Sequence, residues 1–248
     1  ILITEDDDEV RCFLERELSP HFKTRTAANG KDALRVLEEE EISLVVSDVM
    51  MPEMNGFELC RMIKSQLPFS HIPVILLTAL TDERQRIFGI TGGADDYIQK
   101  PFHTDYVKIK IIHLLQERRK LRERLLEKLR DNKLLLSEPE KVESIDDAFL
   151  RKFAEQIEAV YADPEYNVEK LSETLGLSRG HLHRKIKELT GTSPVEFLRT
   201  YRLNKATQLL RQNAYTVSEV AYRTGFSSPA YFSKCFKAVY GVTPTEYQ

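Results

Sequence analysis

Two rhythms divide the chain. Up to about residue 115, short aliphatic and β-branched runs (Ile1–Thr4, Leu44–Ser47, Val74–Leu77, Tyr97–Gln99 and a weaker Phe22–Thr26) alternate with longer stretches whose apolar residues recur at helical spacing. The strong runs are apolar at consecutive positions, the pattern of a strand buried on both faces. Five such strands alternating with five helices predict a doubly wound α/β domain on a parallel sheet over residues 1–115. Beyond it only helical spacing is left, and the second half is predicted to be all-α.

Between the two, residues 116–143 read as a helical linker. Leu114 to Lys133 holds no Gly or Pro and is dense in Arg, Lys, Glu and Leu, so the last helix of the first domain is expected to run on as an exposed rod. Ile111, Leu114, Leu121 and Leu125 fall on an a/d seam that Arg118 interrupts, which leaves a short dimer contact over 111–130 and a plain solvated helix both open. Ser137–Glu138–Pro139–Glu140 marks a break, and a separate domain is expected over residues 144–248.

Within that domain, residues 168–194 (VEKLSETLGLSRGHLHRKIKELTGTSP) and 217–244 (VSEVAYRTGFSSPAYFSKCFKAVYGVTP) repeat each other. Gly176 pairs with Gly225, Leu182 with Phe232, Ile186 with Phe236 and Gly191 with Gly241. In each copy a short amphipathic helix meets a Gly and a second helix starts after Ser178 or Ser228, giving two helix-turn-helix units joined by a long helix from Ser193 to Gln212. Helical spacing buries Leu182, Ile186 and Leu189 in the first unit, and Phe232, Phe236 and Val239 in the second. It turns outward Arg179, Gly180, His183, Arg184 and Lys187, and Pro229, Ala230, Ser233, Lys234 and Lys237, the positions such a helix presents to a DNA major groove. His181 and His183 do not read as a metal pair, because residues two apart on a helix diverge and no third ligand completes them.

Charge sharpens the division. Residues 1–115 carry 13 Lys and Arg against 20 Asp and Glu, a net of −7, while residues 166–248 carry 12 against 6, a net of +6. The basic half suits a phosphate backbone. With 42% hydrophobic and 30% charged residues, the 248-residue chain can bury real cores. No apolar stretch approaches the ~20 residues of a membrane span, so no direct membrane contact is expected. Cys12, Cys60 and Cys235 are too scattered for a disulfide framework or a zinc site, which points to a reducing, cytoplasmic setting. The sequence opens at Ile1 in mid-pattern, without an initiator Met, and reads as a piece of a longer chain.

The candidate chemistry lies beyond the carboxyl ends of the front strands, where sheets of this kind gather their working groups. Glu5 and Asp6 follow the first strand, Asp48 the third, Thr78 the fourth and Lys100 the fifth. Singly, each has an ordinary structural reading: an acidic helix start, a turn Asp, a hydroxyl near a helix end, a surface Lys. Together they predict more. Three carboxylates at one rim repel one another unless a hard divalent cation holds them, Mg²⁺ being the physiological candidate. Asp48 could then attack a phosphoryl group to form an aspartyl-phosphate, with Glu5 and Asp6 holding the metal and Lys100 and Thr78 engaging the phosphate oxygens.

The segments ILITEDDDE, LVVSDVMMPEMNGFEL, PVILLTAL and GADDYIQKPF resemble the receiver domain of CheY-like response regulators, a flavodoxin-like fold with strand order 2-1-3-4-5. By that resemblance Asp48 is the phospho-acceptor, and Glu5 and Asp6 are the acidic pair, Glu replacing the usual Asp at the first position. The Met50 carbonyl becomes a further metal ligand, Tyr97 the aromatic that turns with the Thr78 switch, and Lys100–Pro101 a cis bond. The paired helix-turn-helix units resemble the AraC-type DNA-binding domain, in which two such helices enter successive major-groove faces of one duplex. This implies base readers at Gly180, His183 and Arg184 and at Pro229, Ala230, Ser233 and Lys234, the other Lys and Arg meeting phosphate.

Joined, these resemblances imply a phosphorylation-dependent DNA-binding transcription regulator of a two-component phosphorelay, with no enzymatic activity of its own beyond self-phosphotransfer. Its partners would be double-stranded DNA and the phosphohistidine of a histidine kinase, with a homodimer through the receiver or the 111–130 helix left open. The domain order also resembles the C-terminal part of hybrid two-component proteins known chiefly from Bacteroidetes, which implies a membrane-anchored sensor kinase as parent and a cytoplasmic place for this part. A free-standing response regulator is the alternative. A Mg²⁺-dependent phosphohydrolase of the haloacid-dehalogenase type would need a second Asp two residues after the nucleophile, where Met50 stands. A DNA binder with an inert front domain is a third reading, and it predicts no phosphoryl uptake.

Overall fold

A computed structural model of the protein describes residues 1–79, 93–130 and 144–248, without the side chains of 124–130. The described residues form two compact units, Ile1–Leu121 and Arg122–Gln248.

In the first unit five parallel strands, β1 (Leu2–Thr4), β2 (Arg25–Ala27), β3 (Val45–Asp48), β4 (Val74–Thr78) and β5 (Asp96–Gln99), lie in the order β2-β1-β3-β4-β5. Their unbroken apolar runs serve two faces at once. Leu2, Val45, Val74 and Leu76 pack against Ala33 and Leu37 of α2 (Gly30–Glu39) and Leu59, Cys60 and Ile63 of α3 (Gly56–Ser65). Ile3, Val46, Ile75 and Leu77 meet Leu14 and Leu18 of α1 (Asp8–Leu18) and Val107 and Ile111 of α4 (Thr104–Arg130) on the other face. The architecture is therefore the doubly wound α/β one.

The second strand begins later than the pattern suggested. Phe22 belongs to the turn after α1, where its N–H donates to the Leu18 carbonyl and its ring packs part-buried on the core. The helix expected between the fourth and fifth strands falls largely on residues outside the described ones, as do the Ser137–Glu140 break and the Leu125 side chain. Ile111 of the expected dimer seam is fully buried in the first unit's own core, whereas Leu121 is exposed. The seam therefore loses its first apolar position to intramolecular packing.

The second unit holds α5 (Ile145–Val160), α6 (Val168–Leu175), α7 (Arg179–Thr190), α8 (Pro194–Arg211), α9 (Val217–Arg223), α10 (Pro229–Tyr240) and α11 (Pro244–Tyr247). The pairs α6/α7 and α9/α10 are the two helix-turn-helix units, turning at Gly176 (φ 68°) and Gly225 (φ 78°) in the left-handed region that Gly tolerates best. Long α8 joins them. Its Arg202 donates from Nε to the Tyr161 carbonyl at 2.7 Å and from Nη2 to that of Asp163 at 2.6 Å. A Cβ at Gly225 would clash with that same Tyr161 carbonyl, so the second turn lies hard against the end of α5. Val239, expected inside, is 51% exposed. The last turn of α10 is closed instead by Tyr240 and by Tyr247 of α11, whose rings lie 4.6 and 5.3 Å from that of Phe236. Among the described residues no helix is long and apolar enough to cross a membrane.

Candidate functional site

Parallel strands end at a common rim, and this is what assembles the first site. Asp48 and Thr78 are the last residues of β3 and β4, and Glu5 and Lys100 directly follow β1 and β5. One carboxylate oxygen each from Glu5, Asp6 and Asp48 lie within 4.8 Å of one another, Glu5 and Asp48 being buried and Asp6 exposed. Lys100 Nζ stands between the buried acids, 2.9 Å from Glu5 Oε2 and 2.7 Å from Asp48 Oδ1. The Lys100–Pro101 bond is cis. The Lys100 N–H donates to the Thr78 carbonyl at 2.7 Å, which ties the ends of β4 and β5 together.

The electrostatics follow from burial and crowding. Burial pushes the Glu5 carboxyl above its ordinary pKa, the Lys100 hydrogen bond pulls it back, and the charges of Asp48 and Asp6 push it up again, leaving it raised. Burial also works against the Lys100 ammonium, but its hydrogen bonds and ion pairs with Asp48 and Glu5 prevail and raise its pKa. The oxygen-rich, anionic donor set is that of a hard divalent cation, and it fits Mg²⁺.

The backbone holds the acceptor in place. Met50 N–H donates to Asp48 Oδ2 at 3.0 Å, while the Met50 side chain is 68% exposed, so position 50 offers the site only its main chain. Gly56 closes the following turn beneath Asp48, whose carbonyl oxygen a Cβ would strike. Asp7 is spent as the N-cap of α1, accepting from the N–H groups of Glu9 and Val10, which leaves Glu5 and Asp6 as the pair at the rim. Thr78 is buried there. The Tyr97 hydroxyl is buried with no hydrogen-bond partner among the described residues, and burial, with smaller contributions from Cys60 and Asp95, pushes its pKa up to about 12.

Arg11 was not among the expected site residues. Its Nη1 donates to the carbonyls of Glu5 at 2.7 Å and Asp6 at 3.3 Å, gripping the loop that carries both acids. The only signal for it was a basic residue early in α1, from which side chains lean back toward the helix start.

The second candidate site is the outer surface of α7 and α10. Arg179, Gly180, His183 and Lys187 are exposed on α7 and Arg184 is half-buried; on α10 Ala230, Lys234 and Lys237 are exposed and Pro229 and Ser233 half-buried. Arg179 also pairs with Glu169 of α6 at 2.7 Å. Tyr231, unforeseen, is exposed on the first turn of α10. Lys185 was equally unforeseen and is wholly buried on the core side of α7.

Comparison with known proteins matches two separate stretches of the chain to two families. The response regulator receiver domain family matches residues 1–112, and a helix-turn-helix domain family matches residues 171–248. Histidine kinase P4 of Formosa agariphila is 39% identical over all 248 residues, which correspond to 18% of that protein. The transcriptional regulatory protein GltR of Pseudomonas aeruginosa is 44% identical over 117 residues, 47% of this chain and 48% of GltR. A solved signal receiver domain of a signal transduction histidine kinase from Syntrophus aciditrophicus is 38% identical, covering 47% of this chain and 89% of that one, with a TM-score of 0.45. The chain thus spans less than half the length of these full-length relatives.

Proposed function

The chain belongs to the response regulator receiver family over residues 1–112 and to a helix-turn-helix family over residues 171–248, and from that premise we propose that it is a phosphorylation-dependent DNA-binding transcription regulator whose phospho-acceptor is Asp48. The observation that carries this is the rim of the sheet: three carboxylates within 4.8 Å and a Lys 2.7 Å from Asp48. Asp48 takes the phosphoryl group from a kinase phosphohistidine; the new bond is P–O, the broken one P–N, and the imidazole leaves. Met50 N–H keeps the carboxylate oriented, and Lys100 moves from pairing with Asp48 to pairing with the phosphoryl oxygens. Thr78 hydrogen-bonds the arriving group, and Tyr97, whose hydroxyl has no partner among the described residues, is the ring that responds. Glu5, Asp6, Asp48 and the Met50 carbonyl would hold Mg²⁺, which when bound would neutralise phosphoryl charge.

The chain's own chemistry is confined to this self-phosphotransfer. DNA is the second partner: His183, Arg184, Ser233 and Lys234 read bases with the small Gly180, Pro229 and Ala230 at the groove, while Arg179, Lys187 and Lys237 meet phosphates. The alignment with 18% of a histidine kinase favours a hybrid sensor kinase as the parent protein over a free-standing regulator.

Incubation with acetyl phosphate and Mg²⁺ tests the acceptor. Mass spectrometry should find one phosphoryl group on the peptide containing Asp48, and none in a folded Asp48→Asn variant; uptake persisting in that variant removes the assignment. Arg184→Ala should lose about 1–3 kcal/mol of discrimination between specific and substituted duplexes. Unchanged discrimination would make Arg184 a backbone contact.

A further inference from the structure

Lys185 lies on α7 between two candidate base readers and Lys187, yet its side chain is 0% exposed. Helical spacing explains its direction: it follows Leu182 by three residues and adjoins Ile186, on the flank of the helix that faces the core. Its Nζ lies 2.6 Å from Asp146 Oδ1, in the first turn of α5, and 5.1 Å from the centre of the buried Phe149 ring. A carboxylate and an aromatic face thus replace the water this ammonium gave up.

Such a pair is a poor source of stability, because apolar replacement of both partners is often neutral or stabilising. The internal repeat makes the same point. The matching position on α10 is Cys235, so the second recognition helix packs with a neutral side chain where the first carries a cation. An ion pair does supply direction. Aliphatic contacts tolerate small rotations of one helix on another, whereas a charge-assisted hydrogen bond fixes a donor to one acceptor. His183 and Arg184 precede Lys185 by two and one residues, so any rotation of α7 about its axis sweeps both across the base edges.

We propose that Lys185 is a positioning residue for DNA reading: its pair with Asp146 sets the rotation of α7, and hence which bases His183 and Arg184 meet, without itself touching DNA. The inference rests on the DNA-binding role of α7 given above. The test uses the full chain and duplexes enriched by the wild-type protein from a random-sequence library. A Lys185→Met, Asp146→Ala double variant removes both charges together. It should keep the wild-type melting temperature and salt-dependent non-specific DNA binding. It should lose about tenfold in discrimination at the motif positions that Arg184→Ala also affects, and keep it at those affected by Lys234→Ala. A folded double variant with wild-type discrimination at every position overturns the proposal, and so does one that no longer folds, since the pair would then serve stability. Enrichment of no motif by the wild-type chain instead sinks the DNA-binding reading itself.

Discussion

Two buried acids at one rim need a positive charge between them, and Lys100 supplies it. Its ammonium bridges Glu5 and Asp48, and its removal leaves two buried acids facing each other. Lys100→Ala should therefore destabilise the first unit by about 1–3 kcal/mol, and Mg²⁺ should raise the melting temperature of the variant more than that of the wild type, because the metal supplies the missing positive charge. Equal Mg²⁺ effects would contradict the shared-charge account. Burial also separates the cysteines: the Cys60 thiol is pushed up to about 11, while Cys12 is exposed. Since the thiolate is the reactive form, alkylation at pH 8 should label Cys12 at once and Cys60 only on unfolding; early labelling of Cys60 would contradict the packing of α3. The rim acids and Lys100 were legible in the sequence because strand ends are easy to find and parallel strands end together. Arg11 and Lys185 were not, since a basic residue at a helical position does not announce whether it faces solvent, a carbonyl or a buried acid.

At the scale of elements, the repeat lets one copy serve as control for the other. Gly176 and Gly225 share a left-handed backbone, but a Cβ at Gly176 meets nothing within 4 Å among the described residues whereas at Gly225 it strikes the Tyr161 carbonyl. Gly176→Ala should cost about 1–2 kcal/mol, and Gly225→Ala clearly more, by chemical unfolding; equal costs would mean that the second turn is not pressed on α5. Four of the helix starts in this unit carry reciprocal capping boxes, Ser144/Asp147 and, with Glu as the third residue, Ser193/Glu196, Thr216/Glu219 and Thr243/Glu246. Backbone and then side-chain hydrogen bonds from the cap residues hold each Glu below its ordinary pKa of 4.5. A lowered folded-state pKa contributes stability that is complete above 4.5 and is lost as the pH falls through the folded values. The melting temperature should drop in that acid window, and less steeply in a Glu196→Gln, Glu219→Gln, Glu246→Gln variant; parallel pH profiles would contradict the role of the boxes. Periodicity located these helices and their inner faces. It failed at ends, where Phe22 closes a turn and Val239 is displaced from the core by Tyr240 and Tyr247, because spacing gives a side chain's direction and not what arrives to cover it.

At the scale of the whole molecule, the two units have separate cores and separate chemistry, an anionic rim in one and a basic pair of helices in the other. That division was visible as the change from mixed to purely helical rhythm and as the swing in net charge. The proposed function has phosphorylation of the first unit govern DNA binding by the second, and this is measured directly as the affinity of the full chain for its selected duplex, in Mg²⁺, with and without beryllofluoride as a phosphoryl mimic. The proposed function requires a change in affinity on adding the mimic, absent in Asp48→Asn. Equal affinities with the mimic shown to be bound at Asp48 would contradict it.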